Sequence, residues 1–82
     1  MARAIRLHKG DLSEEAAERY GDRIAVDTET LGLNPHRDRL CVVQLSPGDG
    51  TADVVQIAKG QKKAPNLARL MRDRKKTKIF HF

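Results

Sequence analysis

IAVDTETLGLNP, residues 24–35, begins as an apolar strand and then carries two carboxylates, Asp27 and Glu29, one residue apart. Side chains alternate faces along a strand, so Asp27 and Glu29 share one face, about 6–7 Å apart. Like charges that close repel unless a cation or proton lies between them. The uninterrupted run Ile24-Ala25-Val26 predicts a strand covered on both sides.

Outward from this strand the pattern is a mixed α/β sheet. Residues 4–8 alternate weakly and predict a short edge strand. Asp11 and Glu14 have capping-box spacing, with Ser13 a rival N-cap, and a helix is expected over 12–20. Its inner face is Leu12, Ala16, Ala17 and Tyr20, and Gly21 supplies a left-handed stop. Leu31-Gly32-Leu33-Asn34-Pro35 predicts a turn. Residues 40–46 and 51–57 read as strands joined by Pro47-Gly48-Asp49-Gly50, hence an antiparallel hairpin. Pro65 suits the first turn of a helix over 65–75 that buries Leu67, Leu70 and Met71. Lys78-Ile79-Phe80-His81-Phe82 opens a further strand, and the intervening helix is long enough to make it parallel to an earlier one.

With 82 residues the chain is one domain at most, with a thin core. The single Cys41 excludes an internal disulfide and reads as a small buried residue. No apolar run is as long as a membrane span, and residues 1–6 lack a secretory apolar stretch. These features predict a soluble, cytoplasmic protein without membrane partners. The net charge of +5 is uneven: between Lys59 and Lys78 nine basic residues face Asp73 alone, and the rest of the chain is acidic. A polyanion held near a carboxylate site is the partner such a layout suggests, against the simpler reading of a solvated helix face. Lys62, Lys63, Lys75 and Lys76 are the candidate phosphate contacts. His8 and His36 have no partner at metal-ligand spacing, and Gln44 and Gln56 read as outward-facing.

Paired carboxylates at a strand's carboxyl end are hard ligands for Mg²⁺ or Mn²⁺, at the position where α/β sheets commonly build sites. Two divalent ions can activate water and stabilise the leaving oxygen of a phosphodiester. Taken alone, an Asp-x-Glu tripeptide is more often plain solvated charge.

Three longer motifs narrow the choice: IAVDTETLGLNPHRDRLCVVQLS, the hairpin segment GTADVVQI, and the terminal KIFHF. Together they resemble the ribonuclease D-like 3′–5′ exonucleases of the DEDD (DnaQ-like) superfamily, over about residues 4–82. The resemblance implies a ribonuclease H-like mixed sheet and a two-metal hydrolase acting on RNA 3′ ends. It implies that Asp27 bridges both metals and that Glu29 holds the ion that activates water. It implies contacts from Thr30 to the 3′-terminal nucleotide, from Leu33 to the terminal base and from His81 to the substrate strand. Phe82 stands where many relatives carry asparagine. The second motif's aspartate would come about five residues after His81, and the third motif, with its base and last acid, later still. The expectation is therefore the N-terminal portion of an exonuclease domain, weak in metal binding and nearly inactive alone. The alternatives are a non-catalytic nucleic-acid-binding remnant of the same fold and a DNA-directed exonuclease acting on single strands. Oligomeric state is left open.

Overall fold

The computed structural model describes residues 4–31, 40–58 and 60–81, with side chains there except at 30, 31, 40 and 81. The turn expected at 31–35, with Leu33 and His36, lies outside the described residues beyond Leu31. Five strands and two helices follow in the order β1 (Ala4–Lys9), α1 (Glu14–Ala17), β2 (Arg23–Leu31), β3 (Leu40–Ser46), β4 (Thr51–Ala58), α2 (Pro65–Arg72) and β5 (Thr77–His81). The sheet order is β1-β4-β3-β2-β5. β2–β3 and β3–β4 are antiparallel, whereas β1 joins β4 and β5 joins β2 in parallel. This is the mixed α/β sheet expected, with the hairpin and both parallel additions in place.

Strand periodicity sorts side chains onto two unlike faces. Ile24 and Val26 of β2, Leu45 of β3 and Val55 of β4 form one face, and Leu12, Ala16, Tyr20, Leu67 and Leu70 close over it as a single buried cluster. Each fully buried large apolar side chain contributes about 1.5–3 kcal/mol, so this cluster is the main source of stability. The other face carries Ala25, Asp27 and Glu29 of β2 beside Val42, Gln44 and Ser46 of β3 and Val54 and Gln56 of β4. Ala25 is exposed. β2 is thus covered on one side by the described residues rather than on both, because both helices pack on the Ile24–Val26 side.

β1 is inverted relative to its neighbours. Its apolar Ile5 and Leu7 are 66% and 58% exposed, while Arg6 and His8 turn toward the helices. It adds no side chain to the buried cluster. Backbone pairing with β4 and polar contacts hold it.

The helices are shorter than their periodicity predicts. α1 spans one turn, with Ser13 as its N-cap accepting from Ala16 N–H at 3.1 Å. Turn bonds then carry the chain to Tyr20, which is buried as expected. Gly21 is not among the glycines with positive φ, so it does not stop the helix in the expected way. Instead, the Lys76 ammonium donates to the carbonyls of Tyr20 and Gly21, both at 2.9 Å. Asp11 does not cap α1. Its carboxylate crosses to α2 and accepts from the Asn66 and Leu67 amides at 3.0 and 2.9 Å, as well as from Leu12 N–H. α2 begins after Ala64, which offers no side-chain cap, so a residue more than fifty positions earlier satisfies the helix's free amides. Asp73 in extended geometry ends α2 at Arg72.

Candidate metal and nucleic-acid site

Asp27 lies in the second most peripheral strand but between two paired neighbours. It is opposite Gln44 on β3 and beside His81 on β5. Glu29 follows one pleat later, opposite Val42. Both acids therefore stand on the face away from the helices, as the spacing predicts; Asp27 is half-buried and Glu29 exposed. Among the described residues, every ion pair converges on a different acid, Asp53, and none involves Asp27 or Glu29. Two hard oxygen donors on one face, with no basic side chain among the described residues neutralising them, fit a divalent cation. No group of three or more candidate ligands occurs among the described residues, so the pair is at most part of a metal site. Beside it, Ala25, Asp27, Gln44 and Ser46 border a shallow hollow of about 70 Å³.

Of the remaining candidates, Thr30 continues β2, paired with Cys41, and the His81 backbone is in register with Asp27. Thus β5 brings the end of the chain to the acidic pair. Leu33 lies outside the described residues.

The basic segment does not flank the acids on their own face. Leu67 and Leu70 must bury their stripe against the apolar side of the sheet, which carries α2 with Arg69 and Arg72 to the opposite face. The Lys76 ammonium is engaged by carbonyl oxygens, and that of Lys78 donates to the Asp73 carbonyl. Arg69 and Lys76 instead line a groove of about 400 Å³ between α1 and α2, facing Glu14, Glu18 and Asp73. That groove is larger than the hollow at Asp27, but its walls carry both signs and it lies across the sheet from the carboxylate pair. Size here does not mark the chemistry.

Sequence reasoning missed the side chain that, among the described residues, gathers the most polar partners. Asp53, fully buried on β4, accepts from the Tyr20 hydroxyl at 2.7 Å and from Arg6 Nε at 2.9 Å, and pairs with His8 Nε2 at 2.8 Å. Burial alone would raise its pKa, but the hydrogen bonds from Arg6, Tyr20 and His8 outweigh it and hold Asp53 at about 2. Burial, with the bond to Asp53, pushes the Tyr20 phenol well above its ordinary range. The signal was present in the alternation: Asp53 shares a face with Val55 and Ile57, and Arg6 and His8 share one on β1.

The family model described as 3′-5′ exonuclease matches residues 7–82. No curated protein sequence matches the chain at a significant level. Among solved structures, Brucella melitensis NrnC with bound Mg²⁺ is 66% identical over 100% of this chain, with a TM-score of 0.78. Brucella melitensis NrnC bound to pGG is 67% identical over 96% of it, also with a TM-score of 0.78. A structure described as the apo form of the nuclease is 64% identical over 99%, with a TM-score of 0.84. The chain spans only 38–39% of the length of these relatives. Strand order, motif content and these matches agree: the chain belongs to the 3′–5′ exonuclease family, with the DnaQ-like fold.

Proposed function

We propose that residues 1–82 are the N-terminal portion of an exonuclease domain that releases nucleotides from RNA 3′ ends by hydrolysis. The observation that carries this reading is the shared face of Asp27 and Glu29, turned away from the helices and without a basic partner among the described residues. Asp27 and Glu29 would hold Mg²⁺ or Mn²⁺ as two of four acidic ligands. The bound ions supply an activated water and charge stabilisation at the leaving oxygen. The carboxylates' own contribution is to fix the cations at the rim of a rigid sheet. Thr30, Leu33 and His81 are the proposed contacts to the nucleic acid, with His81 supported by the register of β5 against Asp27. Bound Mg²⁺ in one NrnC structure and pGG in another support the choice of cofactor and of a nucleotide ligand. No helix among the described residues is long and apolar enough to cross a membrane.

Release of nucleotides from 3′-labelled RNA and single-stranded DNA of the same sequence, with Mg²⁺ or Mn²⁺, tests this. A protein of the relatives' full length should degrade the RNA faster, and Asp27→Asn or Glu29→Gln should abolish release. The 82-residue chain should release little or nothing. Robust cleavage by that chain, lost in Asp27→Asn, would overturn the partial-domain reading. Faster cleavage of DNA would overturn the choice of RNA.

A further inference from the structure

Gln44 is the directly paired residue of Asp27 across β2–β3, and it is exposed on the same face. We propose that Gln44 is a positioning residue for Asp27, an inference that rests on the metal-binding reading above. Directly opposed side chains on adjacent strands have Cβ atoms about 4.5–5.5 Å apart, a gap that a glutamine side chain can span. Its NH₂ group can donate to one carboxylate oxygen while the other faces the cation. The donor is neutral, so it orients the carboxylate without repelling a divalent ion as lysine or arginine would. Other polar neighbours are less suited: the Ser46 hydroxyl donates to the Thr51 carbonyl at 2.7 Å, and the other cross-strand partner of Gln44 is the apolar Val54. Metal-binding carboxylates are typically held by such hydrogen bonds, whose loss costs about 10–100-fold in metal affinity. Gln56 provides an internal control. It lies on the same face, but its partners are Val42 and Lys9, with no acid opposite.

Mn²⁺ alone, titrated into the 82-residue chain, gives the readout as paramagnetic broadening of backbone amide signals. Broadening should centre on residues 27–29 and on 43–45 across the ladder. Gln44→Ala should weaken Mn²⁺ binding by about tenfold or more, within the range expected for lost carboxylate support, while Gln56→Ala leaves it unchanged. Amide signals of the buried cluster report that each variant remains folded. If Gln44→Ala binds Mn²⁺ as the wild type does while Asp27→Asn loses it, the role of Gln44 falls and the metal site stands. Equal weakening by Gln44→Ala and Gln56→Ala likewise overturns the role. If Asp27→Asn binds Mn²⁺ as the wild type does, or broadening centres elsewhere, the metal-binding reading itself fails.

Discussion

Asp27 and Asp53 lie on strands only two apart in one sheet, about 10 Å between them by strand spacing, yet they occupy opposite faces and opposite chemical states. Asp53 shares a rung with Arg6, Leu45 and Val26 on the helix-covered face. Asp27 belongs to the next rung, with Leu7, Val54 and Gln44 on the other face. A one-residue change in parity separates them. One carboxylate is sealed in and satisfied by three donors; the other stands beside a second acid with no ion pair among the described residues. A buried charge is tolerated because its hydrogen-bonding capacity is filled. A pair of unneutralised acids on an open face costs repulsion, and a cation relieves that cost. The first arrangement builds the fold, and the second is suited to recruiting a ligand.

The sharpest way to break this contrast is to truncate each acid. Asp53→Ala leaves Arg6 and His8 turned inward without their carboxylate and removes the partner of the Tyr20 hydroxyl. Loss of one partner from a buried charged network costs about 3–5 kcal/mol. β1 should suffer most, because it brings no apolar side chain to the core and is tied to Asp53 and to the turn after α1 through this network. Asp27→Ala should stay within about 0.5 kcal/mol of wild type, with relief of repulsion from Glu29 offsetting what is lost. Urea unfolding of both variants, with amide exchange across residues 4–9, checks the pair. Equal destabilisation would erase the distinction.

Acid titration of stability sharpens the same contrast at smaller amplitude. The folded-state pKa of Asp53 is about 2, below its ordinary 3.8. A depressed carboxylate stabilises the native state above the unfolded pKa, and that contribution is lost as pH falls through the folded value. The window is therefore from about pH 4 down to 2, and the amplitude is about 2 kcal/mol. Unfolding free energy of the wild type should drop across that window, and Asp53→Asn should start lower and show a flatter profile. A profile identical in both would assign the acid sensitivity elsewhere.

Strand arithmetic made much of this legible in advance. The i, i+2 spacing of Asp27 and Glu29 determines their common face whatever the surroundings, and the hairpin and α2 followed from turn residues and helical spacing. What alternation within one strand cannot supply is which face a later helix will cover. Ile24-Ala25-Val26 therefore suggested two covered faces where the described residues cover one. The same gap hid the basic segment's position: its charge is evident in the sequence, but the Leu67–Leu70 stripe takes α2 to the far side. Asp53 was missed because its partners come from two segments far from it in the sequence, residues 6–8 and Tyr20. Asp11 was assigned to the nearer helix because capping rules are local, whereas its free carboxylate was captured by α2.

Asp11 also grades the comparison between Asp27 and Asp53. It is half-buried, and its donors are backbone amides at the start of a helix rather than charged side chains. If satisfied donors separate a structural acid from an available one, Asp11 should be intermediate in its energetic effect. Asp11→Ala strips α2 of its only identified side-chain cap, and such losses cost about 1 kcal/mol, at most about 2. Asp11→Asn keeps an acceptor oxygen for one amide and should recover part of the loss. The damage should be local, with faster amide exchange at Asn66 and Leu67 and little change at residues 4–9. Thermal unfolding of Asp11→Ala, Asp11→Asn and Asp27→Ala in parallel decides the point. Were Asp11→Ala as mild as Asp27→Ala, donor satisfaction would not be what distinguishes the three carboxylates, and depth of burial alone would have to account for Asp53.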